Sequence, residues 1–369
     1  MAGFRYASHR ALSRARHWVL WPLLALALLV PALVAPAPAS AFTKAIWGPP
    51  SVNGVDQFPL YHRLHVGILE MGLTWDQVAP VRPAHPTNPN DPAYHWPAEV
   101  AQAIAEARTY HMRILLQVSF APAWADGGHS APGWAPKNPT DYATFLATAA
   151  RRYPSVHLWM IWGEPDKRGS FQPNVSQAVA GHPLTRAQKR APHLYARVLD
   201  ASYAALKRVS RANKVIGGCT YTSGLADPAQ WIENLRLPNG RAPRMDMYGH
   251  NPFGYLPPVF TRTPSPFGEI QFSDLKRLGK LVDRYLHPGL PLFLSEFTIP
   301  TRSDLEFNYW VEPRTAAQWV TEALRNSRRW HRIYALGWIH VYDEPPESYG
   351  GLLTAAGKPK PDYFAFARG

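Results

Sequence analysis

The chain has 369 residues, of which 46% are hydrophobic, 12% aromatic and 18% charged, a globular composition that excludes a disordered or collagen-like chain. Its formal net charge of +13 favours anionic partners in general and leaves an acidic polysaccharide open. No basic run is interleaved with aromatic residues at nucleic-acid spacing, so we expect no nucleic-acid partner.

The number and spacing of cysteine and histidine residues limit which disulfides and metal sites the chain can form. The single cysteine, Cys219, excludes an intrachain disulfide and a cysteine-based metal site. It lies in the strand-like run 215–220, so we expect a buried, unreactive thiol. His62 and His65 are three residues apart on a possible helix, but no third ligand follows at a useful spacing. We therefore expect no metal ion and no cofactor.

The N-terminal segment has the pattern of a secretory signal peptide. Basic residues precede an apolar stretch from about Trp18 to Val34, and Ala39-Ser40-Ala41 supplies a small-residue cleavage site. We expect residues 1–41 to be removed and the mature chain to be secreted. A retained membrane anchor is the alternative, because the apolar stretch is close to the lower length limit for spanning a bilayer. No later segment is that apolar, so we expect no membrane contact after cleavage.

From residue 42 onward, candidate strands and helices alternate. Apolar, β-branched runs predict strands at 44–47, 67–75, 113–119, 156–164, 215–220, 245–250, 291–296 and 334–339. Periodic segments predict helices at 56–65, 97–110, from 140, at 194–211, from 227, from 273, at 315–330 and from 362.

The eight strands are apolar almost throughout, which is typical of a parallel sheet covered by helices on its faces. The count of eight fits a closed barrel. An open doubly wound sheet is the alternative, but it usually contains a glycine-rich phosphate-binding turn, and none is present. We therefore predict an α/β fold, a (β/α)8 TIM barrel, as a single domain covering residues 42–369.

Two glutamates each end a hydrophobic run of strand character. Glu164 follows Val156–Trp162, and Glu296 follows Pro291–Leu294. Burying a carboxylate costs free energy unless it is paired, so a strand that ends on one places it at a rim. The carboxyl ends of barrel strands meet at one opening. Two carboxyl groups there suit retaining glycoside hydrolysis, although each could also start a loop or pair with an arginine.

On these residues the chain resembles the clan A glycoside hydrolases, especially families 39 and 5, over essentially the whole of residues 42–369. Those enzymes have an acid/base glutamate in an Asn-Glu-Pro motif at the end of strand four. Their nucleophilic glutamate ends strand seven. The resemblance implies that Glu164 is the acid/base and Glu296 the nucleophile. We therefore expect Glu164 to be protonated and Glu296 to be ionised.

The resemblance also implies residues that contact the substrate. Trp338, on strand eight, matches the aromatic residue that floors the sugar subsite. Tyr248 and His250, on strand six, match positions that often hydrogen-bond the nucleophile or the substrate. Trp124 lies in a Pro/Gly-rich loop after strand three, and its aromatic face makes it a candidate wall of a subsite.

One residue departs from the family pattern. Gly163 stands where the family has an asparagine, whose side chain normally hydrogen-bonds the 2-hydroxyl of the sugar. Either Asn251 or Gln117 takes that role, or the substrate differs at this carbon, or catalysis is weak.

We therefore expect a secreted retaining O-glycoside hydrolase that cleaves a poly- or oligosaccharide with two glutamates. The alternative is a non-catalytic or weakly active carbohydrate-binding barrel, and a metal-dependent barrel hydrolase is a third hypothesis. The sequence leaves open the sugar, the linkage, exo or endo action, and the oligomeric state.

Overall fold

The structure is a computed structural model that describes residues 42–129, 133–174, 176–260 and 265–369. The segment 1–41, on which the signal-peptide prediction depends, lies outside the described residues, and that prediction is untested. Among the helices that are described, none combines the length and the apolar character needed to cross a bilayer.

Eight parallel strands form a closed barrel. They are β1 (Thr43–Trp47), β2 (Ile68–Thr74), β3 (Arg113–Ser119), β4 (Leu158–Ile161), β5 (Lys214–Tyr221), β6 (Met247–Asn251), β7 (Leu292–Phe297) and β8 (Ile333–Trp338). Each strand pairs with the next one along the chain, and β8 pairs with β1 to close the ring. The predicted (β/α)8 barrel is confirmed.

Helices connect the strands on the outside of the barrel. The longer ones are α1 (Phe58–Arg63), α2 (Ala98–Thr109), α3 (Pro139–Arg152), α4 (Arg190–Val209), α5 (Pro228–Glu233), α6 (Leu275–Tyr285), α7 (Pro313–Arg329) and α8 (Pro361–Arg368). Several begin with a proline in the first turn, where the missing N–H is tolerated. Asp227 caps α5 in a capping box, as its position in the sequence indicates.

The strands are buried on both faces, which explains their continuous apolar runs. One cluster fills the barrel interior and includes Ala45, Ile68, Leu115, Ile216, Met247, Phe293 and Ala335. A second, larger cluster fills the layer between strands and helices. Cys219 is fully buried in the interior cluster, in agreement with the prediction of a buried thiol.

The main difference from the predicted elements is at β4. The strand ends at Ile161, three residues before Glu164, instead of continuing to it. Trp162 and Glu164 both have positive φ, +65° and +45°, and a residue in that region cannot continue a strand. The glutamate therefore lies on a tight turn after the strand.

Candidate active site

The backbone around Glu164 is held in an unfavourable conformation. Its left-handed φ is rare for a residue with a side chain, and such conformations concentrate at functional sites. Two hydrogen bonds hold this turn: the Glu164 N–H donates to the carbonyl of Cys219 at 3.0 Å, and the Trp162 indole N–H donates to the carbonyl of Ser170 at 2.7 Å. The turn is thus fixed to β5 and to its own loop.

Glu296 lies on an irregular part of β7. Leu336 pairs with Leu294 and Trp338 pairs with Phe297, so β7 has one residue more than β8 over this stretch. Such a bulge re-aims the side chains beside it and is common near active sites. A second register shift occurs earlier in the same pair of strands, between Ile333 and Ala335, so the pairing of β7 with β8 is irregular on both sides of Leu294.

Asn251, the last residue of β6, links the two glutamates. Its Nδ2 donates to Oε1 of Glu164 at 2.9 Å, and its amide acts to lower the pKa of Glu296. The structure therefore brings together Glu164, Glu296 and Asn251, which belong to three different parts of the chain.

The two glutamates, Glu164 and Glu296, have different electrostatic surroundings. Burial raises the pKa of Glu296 well above its usual range, and the negative charge of Glu164 raises it further. Glu164 instead forms an ion pair, with Lys167 Nζ 2.8 Å from its Oε2. The positive charge of Lys167 thus lies beside Glu164, while Glu296 is the more deeply buried of the two carboxyl groups. The expected roles, a protonated Glu164 and an ionised Glu296, stay a prediction.

A third carboxyl group, Glu70 on β2, is buried inside the barrel. Its Oε2 accepts a hydrogen bond from the Ser295 hydroxyl at 2.6 Å, and the Trp47 indole donates to the same hydroxyl at 3.1 Å. Its Oε1 has no hydrogen-bond partner among the described residues. Burial raises the pKa of Glu70 well above its usual range, and Glu296 adds to that effect. Glu70 is therefore a buried carboxyl group whose environment favours the neutral form, and its charge interacts with that of Glu296.

Sequence reasoning missed both Lys167 and Glu70. Lys167 belongs to a polar loop with many charged neighbours, and nothing in its spacing marks it. Glu70 could have been noticed, because it is a lone carboxylate within an apolar strand.

Gln117 occupies the space beside Gly163. A Cβ atom built on Gly163 would lie 2.5 Å from Gln117 Oε1 and 2.8 Å from its Cδ and Nε2. The Gln117 amide thus fills the volume that a side chain at position 163 would need.

Trp338 does not line the opening, which corrects the prediction of a sugar floor. Its side chain is 1% exposed, and its indole N–H donates to the carbonyl of Gly350 at 3.1 Å. The ring packs against Phe297 and against Phe366 of α8. Neighbouring residues of a strand point to opposite faces, and Trp338 lies on the face that packs against the helices.

Tyr248 and His250 hydrogen-bond other parts of the protein, and their predicted contact with substrate or nucleophile stays a prediction. Both are fully buried. His250 Nε2 donates to the carbonyl of Ile270 at 2.7 Å, and Nδ1 lies 2.9 Å from the Thr220 hydroxyl, which is also 3.2 Å from the Tyr248 hydroxyl. Burial lowers the pKa of His250 to about 4, so the ring is neutral. These residues join β5 to β6.

Trp124 lies at the side of the opening formed by β2 and β3. Its indole N–H donates to the carbonyl of Ala79 at 2.8 Å, and its ring packs edge-on against Trp75. The Arg82 guanidinium lies 4.4 Å from the ring centre. The structure does not bring Trp124 together with Glu164 and Glu296, and its role as a subsite wall stays a prediction.

Comparison with known proteins finds solved structures with a similar fold and low sequence identity. No protein-family model and no curated protein matches the chain. Among solved structures, a family 39 glycoside hydrolase from Bacteroides cellulosilyticus WH2 has a TM-score of 0.63 and 17% identity, over 89% of this chain and 63% of that chain. A monomeric β-xylosidase from Caulobacter crescentus CB15 has 0.59 and 16%, over 88% and 67%. Xylanase 10B from Thermotoga petrophila RKU-1 has 0.56 and 13%, over 89% and 93%.

These comparisons confirm the resemblance to clan A glycoside hydrolases at the level of the fold. Identities below one fifth establish the barrel and leave the chemistry to be argued from the site. The chain spans about 63% of the length of the family 39 enzyme. Within the described residues, no group of three or more metal-ligating side chains is arranged to hold a metal ion.

Proposed function

We propose that this protein is a retaining glycoside hydrolase that cleaves a poly- or oligosaccharide by double displacement. The observation that carries the proposal is the proximity of Glu164 and Glu296: the Asn251 amide donates to Glu164 at 2.9 Å and acts on the pKa of Glu296, which the charge of Glu164 raises. Two neighbouring carboxyl groups at one end of a barrel can act on one glycosidic bond.

In the first step of the proposed reaction, the Glu296 carboxylate attacks the anomeric carbon. The bond from that carbon to the leaving oxygen breaks, and Glu164 gives its proton to this oxygen. The product is a glycosyl ester on Glu296. In the second step, Glu164 takes a proton from water, the water oxygen attacks the anomeric carbon, and the ester bond breaks. Two inversions leave the configuration of the sugar unchanged.

The ion pair with Lys167 bears on both steps. A cation 2.8 Å from Glu164 favours its carboxylate form, which suits the base of the second step. The first step needs the proton on Glu164, so the proton has to pass from Glu296 to Glu164 before attack. Movement of Lys167 away from Glu164 would favour that transfer, and the side chain of Lys167 is half exposed.

Gln117 is the group that we propose for the contact with the 2-hydroxyl. The family asparagine is absent at Gly163, and the Gln117 amide lies where a side chain from that position would be. It offers the same donor and acceptor atoms as an asparagine.

We also propose that the protein works outside the cytoplasm, after removal of residues 1–41. The basic lead, the apolar stretch and the Ala-x-Ala site support this. Mass analysis of protein secreted by an expressing host tests it: a mature chain starting near Phe42 is expected, and an intact N-terminus would contradict it.

The test of the reaction uses a panel of aryl glycosides with the wild-type chain, Glu296→Ala, Glu164→Ala and the exposed control Glu99→Ala. We expect Glu296→Ala to abolish turnover, azide to restore turnover of an activated substrate in Glu164→Ala, and Glu99→Ala to behave as wild type. A mechanism-based fluoro-sugar should add its mass to a peptide containing Glu296. Near-normal activity in both glutamate variants would refute the mechanism.

A carbohydrate-binding barrel with decayed chemistry is the second candidate, and Gly163 is the observation that favours it. Such a protein would bind oligosaccharides but would release no aryl group from any glycoside of the panel in a reaction that depends on Glu296.

A further inference from the structure

A cationic groove lies on the flank of the barrel, away from the glutamate pair. It has a volume of about 630 Å3 and is formed by the first two turns of α4 and by the segment after α5. Its lining includes Arg190, His193, Leu194, Arg197, Arg236 and Leu237, which together we call the arginine groove. This volume is in the range of sites for small ligands.

A second cavity extends the arginine groove. It has a volume of about 480 Å3, shares Arg190 and His193 with the groove, and adds Arg186 and Lys189. Neither cavity is lined by a carboxylate of the described residues. The charged residues that line the two cavities are therefore all basic, and the charge of Glu233 acts on Arg236 from outside this lining.

The cations of this surface have no ionic partners. Across residues 42–129, 133–174, 176–260 and 265–369, none of Arg186, Lys189, Arg190, Arg197 and Arg236 forms an ion pair. By contrast Arg82, Arg244 and Arg332 each pair with an aspartate. Burial lowers the pKa of His193, and the charges of Lys189, Arg197 and Arg236 lower it further, as expected in a positive potential.

Basic residues of the arginine groove also lie at the N-terminus of α4, where the helix dipole disfavours positive charge. α4 has 20 residues, and its first turn contains Arg190 and His193 and no acidic residue. The N-terminus of a helix has a partial positive charge, which favours anions and disfavours cations. Lys189 and His193 are four residues apart, so a charged His193 would add like-charge repulsion. A bound anion would offset both the repulsion of these cations by the helix dipole and the repulsion between Lys189 and a charged His193. A helix face that is only in contact with solvent does not require cations at this position.

We propose that the arginine groove binds an anionic glycan segment, bearing carboxylate or sulfate groups, as a second carbohydrate site. Guanidinium groups bind both anions through paired N–H donors. Leu194 and Leu237 are half buried in the lining and can contact the apolar faces of sugar rings. The choice of a glycan rests on the proposed function, while the choice of an anion rests on the groove alone.

The lining argues against the other polyanions. No Phe, Tyr or Trp lines the groove, and base stacking on such rings is what single-stranded nucleic acid needs. The surface is concave, whereas a membrane surface is met by an exposed apolar helix face.

The position of the arginine groove permits one polymer to bind at both sites. In this fold the helices run antiparallel to the strands, so α4 begins at the same end of the barrel as the opening. α4 is the helix that follows β4 and Glu164 along the chain. A chain held in the groove would raise the local concentration of its neighbouring units at the glutamates.

The test measures binding calorimetrically with the full chain carrying Glu296→Gln, so that hydrolysis cannot consume the probe. The probes are heparin, which has sulfates and uronates, polygalacturonate, which has carboxylates only, and neutral xylohexaose. The groove variant is Arg190→Gln/Arg197→Gln/Arg236→Gln. The control, Arg63→Gln/Arg108→Gln/Arg211→Gln, removes three exposed helix-end charges elsewhere and gives the same net charge. Thermal melting shows that both variants fold.

We expect the groove variant to bind heparin, polygalacturonate or both about tenfold more weakly or worse, and the control to lose little. Loss with heparin alone identifies sulfate as the ligand group, and loss with both identifies carboxylate as sufficient. Neutral xylohexaose should show no groove dependence. An equal loss in the control, or no binding of either anionic glycan, overturns the proposal.

Two further probes test the class of ligand. A DNA oligonucleotide or phosphatidylserine vesicles that bind more tightly than both glycans at equal salt, with the same dependence on the groove, overturn the glycan assignment. This binding assay is independent of turnover. If the aryl glycoside panel shows no activity while groove-dependent glycan binding is present, the proposed reaction fails and the groove proposal stands.

Discussion

Lys167 Nζ lies 2.8 Å from Oε2 of Glu164 and forms an ion pair with it. Lys167 also lies 4.6 Å from the centre of the Tyr221 ring. Burial acts to lower the pKa of Lys167, but the charge and hydrogen bond of Glu164 outweigh it, and the pKa is raised. Lys167 is therefore a cation throughout the neutral range and places its positive charge directly beside the Glu164 carboxyl.

Replacing Lys167 by methionine should shift the pH–activity profile to higher pH. The cation favours the charged forms of both carboxyl groups, and it acts to lower the pKa of Glu296. Its removal raises the apparent pKa values of the coupled pair, so both limbs of the profile should move upward. The measurement is kcat/KM against pH, with the exposed Lys280→Met as control. An unchanged profile, or a shift to lower pH, would contradict the role of the ion pair.

Replacing Asn251 by alanine should lower kcat/KM by about a hundredfold, as for loss of one donor to a developing charge. Asn251 donates to Glu164 at 2.9 Å and also lowers the pKa of Glu296. Its loss leaves two facing carboxyl groups without their shared donor, so the pKa of Glu296 should rise further. Asn251→Asp keeps the size but adds a third negative charge and should be at least as harmful. Normal turnover in both variants would refute the bridging role.

Introducing the family asparagine at Gly163 should destabilise the protein unless Gln117 is shortened. A Cβ at Gly163 would lie 2.5 Å from Gln117 Oε1, so Gly163→Asn alone should cost about 1–3 kcal/mol of overpacking. Gln117→Gly in the same chain should recover most of that loss. Urea unfolding of the two single variants and the double variant gives the coupling free energy. Additive effects would show that the two positions do not share the space.

Replacing Glu70 by glutamine should flatten the dependence of unfolding free energy on pH. The pKa of Glu70 is raised in the folded state, above the unfolded value of about 4.3. Its contribution is thus complete below the unfolded pKa and is lost as pH rises toward the folded pKa. Glutamine has no such term and can still accept the hydrogen bond from Ser295. Urea unfolding from acid to neutral pH, with Glu99→Gln as control, measures this. An unchanged slope would show that Glu70 is ionised.

The fold was predictable from sequence because its information is local and repeated. Every barrel strand is buried on both faces, so each appears as an apolar run, and the eight predicted runs all form strands. The bounds differ most at β4, where the positive φ of Trp162 and Glu164 ends the strand early. That backbone conformation is held by hydrogen bonds to Cys219 and Ser170. Cys219 is far away in the sequence, and Ser170 lies in a loop without a regular sequence pattern.

The site was predictable only in part. The two glutamates were chosen because each follows an apolar run of strand character, and Asn251 was chosen as a substitute for the asparagine that Gly163 replaces. Trp338 was misplaced because neighbouring residues of a strand face opposite sides, and the pairing of β8 with β7 is irregular at this point.

The order of residues by itself determined that eight strands would close into a barrel and that two carboxyl groups would stand at its mouth, because apolar periodicity and strand ends are properties of consecutive residues. Only the tertiary structure decided which glutamate lies beside Lys167, which aromatic rings pack in the layer between strands and helices, and where arginines without ion pairs cluster. Those depend on distances between segments far apart along the chain, such as Lys167 to Glu164 in its folded turn and Arg236 to the first turns of α4.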